Sequence, residues 1–309
     1  MGNLKRFLVV GCNGRFGTIF SEKLAEEGFH VDGLDRGNGS HQVARFENFS
    51  CASILEPDEL AIDLLAAADC VLLCVPEAIV LDSLSVLTRH VRADSVIVDI
   101  ASTKTRIEDA VRSSAARVGY LSIHPMFGPL RSFESRNICI VPVCENAKSL
   151  DFVDLLRRWK ARLVTVTAAA HDRATAYVQA VTHAAILNIA LTLRQAGWSF
   201  ETISALATPV QKTLLALCAR MVSADPALYW EIQTGNAFAA AARKDYLKQW
   251  NALSDTFERL DHETFEHAFD GLAKYFETDK ASLFDLASNV VEIADGGISG
   301  SGHGKEDSS

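Results

Sequence analysis

No window of the sequence approaches the ~18 consecutive apolar residues of a membrane span, and the opening MGNLKRF runs straight into a strand-like segment. Neither a membrane anchor nor a secretory leader is therefore expected. Positive charge is not in excess either: 30 Lys and Arg stand against 39 Asp and Glu, a net charge of -9. Such a chain has no general attraction for nucleic acid or an anionic membrane, so an anionic ligand must meet a local positive site. CxxC pairs are missing. The seven cysteines are odd in number and sit mostly in apolar runs, which reads as reduced, buried thiols of a cytoplasmic protein without structural disulfides. Neither an internal repeat nor a metal-ligand set is expected.

What is present is ordinary for a globular protein: 309 residues, 49% apolar and 22% charged, enough for two domains or one large one. In the first half, short apolar runs at 7–10, 29–34, 70–75, 95–100, 120–123, 138–143 and 163–166 alternate with helical spacings. Continuous apolar strands of this kind belong to a largely parallel sheet covered on both faces, a doubly wound α/β domain over residues 1–167. From 168 strand signals vanish, and helical periodicity runs to about 295. The stretch 174–193 is apolar on almost every face, interrupted chiefly by Gln179, His183 and Asn188. A helix of that character belongs in a bundle centre or a subunit interface. Interface burial is the expectation, because so small a helical half cannot cover it alone. Pro209 and Pro226 divide this half into helices, and the small, polar segment 296–309 reads as a disordered tail.

At the end of the first strand stands VVGCNGRFG, a GxxGxxG loop. Gly11 permits the tight exit, Gly14 lets backbone N–H groups approach a pyrophosphate, and Gly17 lets the next helix lie close with its positive end toward the phosphates. Asn13, Arg15 and Phe16 complete the loop. Asp35 ends the second strand, where an acidic residue accepts hydrogen bonds from the adenosine ribose and repels a 2′-phosphate. With Arg36 beside it, the expectation is NAD in a Rossmann-type domain. Val75-Pro76 is expected to form a rigid lip next to the nicotinamide ribose.

Two residues stand at strand ends where such sheets bind ligands. His124 opens HPMFGP and is a candidate base; Ser102, in DIASTK, is placed either to orient that imidazole or to cap a helix. His183 lies on the apolar helix, as a core residue or a site residue. Arg220 is the only charge in an apolar helical turn, so a buried guanidinium paired with a carboxylate is expected, internal or of the substrate.

GCNGRFG, VDIASTK, HPMFGP, HDRATAYVQAVTHAA and ARMVSADPALYWEI together resemble the prephenate dehydrogenase family. The likeness is to the form fused to chorismate mutase in enteric bacteria, without the mutase domain. The resemblance implies a Rossmann-type domain followed by an all-α dimerisation domain, and NAD-dependent oxidative decarboxylation of a cyclohexadienyl dicarboxylate. It implies that His124 takes the proton from the C4 substituent and that Ser102 orients it. It further implies that His183 lies near the pyruvyl side chain, that Arg220 binds the ring carboxylate, and that Tyr229 comes from the partner of a homodimer. Two positions depart from the enteric pattern: Thr182 stands where an arginine precedes the helix histidine, and Lys212 replaces another arginine. These changes remove one charge and two planar forks. Prephenate is the expected substrate, with 4-amino-4-deoxyprephenate as the alternative. A non-catalytic NAD sensor is the remote reading. A 3-hydroxyacid dehydrogenase is discounted, since it would need a lysine on the long helix where this chain has His183.

Overall fold

The computed structural model describes residues 3–37, 46–114, 118–129 and 132–296. Apart from Gly296, the segment expected to be a disordered tail lies outside the described residues. The chain divides into two compact units, 1–174 and 175–309.

The first unit is built on eight strands: β1 (Arg6–Val10), β2 (His30–Leu34), β3 (Phe49–Ser50), β4 (Cys70–Leu73), β5 (Val96–Asp99), β6 (Gly119–Pro125), β7 (Asn137–Cys144) and β8 (Arg162–Thr165). Their order in the sheet is β3-β2-β1-β4-β5-β6-β7-β8. Every pairing is parallel except β6 with β7, which is antiparallel and carries a register shift at Tyr120/Leu121. The helices between them are α1 (Arg15–Glu26), α2 (Glu59–Ala67), α3 (Glu77–His90), α4 (Thr105–Ser113) and α5 (Ala147–Arg158), with α6 (Ala168–Thr175) after β8. Side chains alternate across a strand, and both faces of this sheet are apolar. Phe7 and Val9 of β1 join one core cluster while Leu8 and Val10 join the other. Sequence order reverses between β2-β1 and β1-β4, and the crevice at such a switch point is where open α/β sheets hold ligands.

Two glycines let the chain turn there. Gly11 has φ +75, a left-handed value that a side chain disfavours. A Cβ on Gly17 would collide with the Gly11 carbonyl oxygen and the Cys12 Cα, so only glycine lets α1 start this close to the β1 exit.

The second unit is helical. A π turn (Ala176–Val181) leads into α7 (Thr182–Gln195), followed by α8 (Phe200–Leu206), α9 (Pro209–Val222), α10 (Pro226–Thr234), α11 (Ala239–Glu258), α12 (His262–Tyr275) and α13 (Lys280–Gly296). Its side-chain caps follow the sequence: Ser199, Thr208, Asp225 and Asp261 each accept a first-turn N–H of the next helix. Its own core is small, a cluster of Ala180, Ile232 and Ala239. No residue of α7 is buried, whereas Phe200, Trp230, Phe284 and Ile293 are each more than 70% exposed. By length and composition alone, the stretch Ala168–Gln195 is long and apolar enough to cross a membrane. Apolar surface on this scale needs a cover.

Replacing Gly17 with alanine should destabilise the first unit by ~1–3 kcal/mol, the usual cost of overpacking. Thermal unfolding monitored by circular dichroism reads this as a lowered Tm. An unchanged Tm would mean that α1 can move off the loop at no cost.

Candidate active site

A cleft of about 400 Å³ opens at the switch point, lined by Gly11, Asn13, Gly14, Asp35, Arg36, Val75 and Pro76, among others. Helix α1 begins at its edge with Gly14 as cap residue and no side chain satisfying the first turn, which leaves backbone N–H groups for an anion. Asp35 accepts hydrogen bonds from Asn13 N–H at 2.9 Å and Gly37 N–H at 3.1 Å. Asn13 Nδ2 donates to the Gly37 carbonyl at 2.8 Å, so the glycine loop and the end of β2 are stitched together. Among the described residues Asn13 Oδ1 is buried and lacks a partner, an acceptor left for a donor on the ligand. A positive helix end, a carboxylate at the β2 terminus and an orphaned amide oxygen together suit a dinucleotide. Three expected contacts do not line the cleft: Gly17, which packs against the Gly11 carbonyl, Arg15 and Phe16. Arg15 is exposed, and Phe16 is taken up by Phe20 and Phe127, with ring centroids 6.5 and 6.1 Å away. As the first residues of α1, they turn their side chains off the helix while their N–H groups stay at its end.

The second site feature is a buried chain of hydrogen bonds. His124 is the penultimate residue of β6, inside the strand, and is 4% exposed. Its Nδ1 lies 2.9 Å from His171 Nε2, and His171 Nδ1 lies 2.8 Å from Asp172 Oδ1. Asp172 also accepts from Lys104 N–H at 2.9 Å, Thr105 N–H at 2.9 Å and the Thr105 hydroxyl at 2.6 Å. That carboxylate thus caps α4 from another helix, where the positive end of the helix favours it. Burial works to raise the Asp172 carboxyl, but the hydrogen bonds from His171 and Thr105 outweigh it and hold it below its ordinary value.

The chain of bonds assigns the tautomers. His171 Nδ1–H donates to the carboxylate, so His171 Nε2 accepts from His124 Nδ1–H, and His124 Nε2 is left with its lone pair. Burial, then the Lys104 ammonium and His171, push His124 well below 6.5. A neutral imidazole whose Nε2 carries the lone pair can act as a base.

Lys104 is wholly buried; its ammonium donates to Asp99 Oδ1 at 3.0 Å and to the Ile123 carbonyl at 2.6 Å. Burial lowers its pKa, with Asp99 acting in the opposite sense. The structure shows neither of the two contacts expected of Ser102. Among the described residues it makes no hydrogen bond to His124, whose Nδ1 is turned to His171. Nor does it cap α4, which begins after Lys104 and is closed by Asp172. Sequence reasoning passed over His171, Asp172 and Lys104. The available signal was an adjacent His-Asp pair opening an otherwise apolar helix.

The remaining candidates lie in the second unit. His183 packs edge-on against Tyr229 of the same chain, with ring centroids 5.2 Å apart and planes at 85°. Burial lowers its pKa, and its Nδ1 is buried without a partner. Thr182 is exposed, with its hydroxyl donating to the Tyr177 carbonyl at 3.3 Å; Lys212 is half-buried in α9. Arg220 corrects an expectation: it is exposed and has no ion pair among the described residues. Placed in the last turn of α9, it complements the negative end of that helix, and its long side chain reaches solvent.

Comparison with known proteins places these features in context. Residues 24–165 match the nucleotide-binding domain of prephenate dehydrogenase, and residues 167–272 match its dimerization domain. The 4-amino-4-deoxyprephenate dehydrogenase of Streptomyces pristinaespiralis is 34% identical over 85% of this chain and 88% of its own length. The T-protein of Enterobacter agglomerans is 26% identical over 93% of this chain and 72% of its own length, so the expected nearness to the enteric form is corrected. A crystal structure of prephenate dehydrogenase from Aquifex aeolicus, in complex with hydroxyphenyl propionate and NAD+, has the same fold. It is 18% identical, with a TM-score of 0.67 over 90% of this chain and 99% of that one. The chain is an enzyme of the prephenate dehydrogenase family.

Proposed function

We propose that this chain is a homodimeric, NAD-dependent dehydrogenase that oxidises and decarboxylates 4-amino-4-deoxyprephenate to 4-aminophenylpyruvate. The observation that carries the substrate is the 34% identity to an enzyme of that name along 88% of its length. Thr182 and Lys212, where the enteric pattern has arginines, support a site with altered charge. Prephenate is the second reading, favoured by the matches to the two prephenate dehydrogenase domains. NAD is supported by Asp35 at the end of β2 and by the relative crystallised with NAD+. The dimer is supported by the match to a dimerization domain and by the uncovered apolar surface of the second unit. A cytoplasmic location is part of the same proposal, supported by the free cysteines.

Gly11, Gly14, Asn13 and Asp35 would hold the dinucleotide, which when bound supplies an acceptor for the hydride on C4. An aliphatic amine is protonated near pH 7. His124 Nε2 removes a proton from the C4 ammonium, freeing the nitrogen lone pair to push the hydride away. The electrons of the C1 carboxylate bond then enter the ring as CO2 departs, and aromaticity makes the step one-way. The imidazolium formed on His124 is stabilised through His171 by the Asp172 carboxylate, much as a carboxylate orients and supports histidine in other catalytic relays.

NADH formation with the two substrates side by side tests the assignment. The amine should be preferred by at least tenfold in kcat/KM, ~1.4 kcal/mol of discrimination; a preference for prephenate would overturn it. Replacing His124 with asparagine should lower kcat by ~10²–10⁴ and leave NAD binding intact. In Asp172→Asn the amide donates to His171 Nδ1, which reverses both tautomers and puts hydrogen on His124 Nε2. A fall in kcat of ~10² or more is expected, and wild-type turnover would remove the relay from the mechanism. Because His124 is held below 6.5, kcat/KM should stay level from pH 7 through 6.5 and fall only at lower pH as the base is protonated. An acid limb centred at 6.5 or above would contradict this.

A further inference from the structure

The helix that carries His183 changes pitch just before it. Ala176–Val181 form a π turn between α6 and α7. Such turns put backbone groups out of register and recur at functional sites. Two carbonyls of this turn are satisfied by side chains. Tyr177 O accepts from the Thr182 hydroxyl, and Ala180 O accepts from Gln233 Nε2 on α10 at 2.7 Å. Ala180 is completely buried, so this hydrogen bond is made away from water, where it counts for more than at the surface. Gln233 is itself held. Arg243 on α11 donates to its side-chain oxygen at 2.7 Å and to its backbone carbonyl at 2.9 Å. One helical turn earlier on α10 stands Tyr229, edge-on to His183. Helix α10 therefore touches the long helix at two matched points, Gln233 with Ala180 and Tyr229 with His183.

We propose that Gln233, locked by Arg243, is a positioning residue that maintains the π turn and thereby sets where the His183 ring stands. Without the Gln233 donor the turn relaxes toward α geometry, and a register change of one residue rotates the downstream helix by ~100°. His183 then leaves Tyr229. The consequence for catalysis rests on the reading of His183 as a substrate-site residue; the consequence for ring position does not.

The test uses Gln233→Leu and Gln233→Glu in the full-length protein, with two readouts. The glutamate keeps an acceptor for Arg243 and removes only the donor to Ala180, so it decides the question where the leucine variant fails to fold. The NMR titration of His183, which in the wild type lies below 6.5 because the ring is half-buried, should move up toward 6.5 in both variants. KM for the cyclohexadienyl substrate should rise by ~tenfold or more, as misplacement of a binding group does, with KM for NAD unchanged. A folded Gln233→Glu protein with wild-type His183 titration and wild-type substrate KM overturns the proposal. If the wild-type protein turns over neither substrate, the proposed activity fails while the His183 titration still decides the role of Gln233.

Discussion

The Asp172 carboxylate is the constraint on which the rest of the site depends. It satisfies the open N-terminus of α4 through Lys104 and Thr105 and, with the oxygen that also accepts from Lys104 N–H, fixes the proton on His171. A helix start and a catalytic tautomer are thus secured by one group. Buried acceptors of this kind cost free energy unless fully paired, and here the pairing partners are the functional parts themselves. The carboxylate cannot be lost without loosening both.

Lys104 adds an electrostatic layer beneath. A buried ammonium is tolerated because Asp99 and the Ile123 carbonyl take two of its hydrogens, as buried charges require. Its placement beside β6 opposes a second positive charge on His124. Burial, Lys104 and His171 keep the imidazole neutral, and in the proposed reaction the Asp172 carboxylate beyond His171 accommodates the charge once a proton has been taken. The two influences act in opposite senses on the same imidazole, and their balance sets the working range of pH.

Much of this was legible in the residues. The seven apolar runs correspond to strands, because buried parallel strands leave continuous hydrophobic stretches; the two-residue β3 was missed, being too short to leave any pattern. Gly11, Gly14, Asp35, Val75 and Pro76 were read from spacing alone and line one cleft. The failures share a cause. Ser102 and Arg220 were judged from neighbours in sequence, whereas the partner of His124 lies 47 positions away and the surroundings of Arg220 are set by how helices pack. His171 was overlooked because hydrogen bonds across a fold leave no periodicity.

The contact between Phe16 and Phe127 has a bearing on how such an enzyme can change. One ring belongs to the first turn after the glycine loop, the other to the segment that leaves the base strand three residues past His124. A substitution that reshapes the loop for another dinucleotide pushes on the segment just beyond the base, and the reverse holds equally. The glycine loop and the segment beyond His124 are therefore not independent of one another. A lineage altering one would have to repack these two rings before it could keep the other.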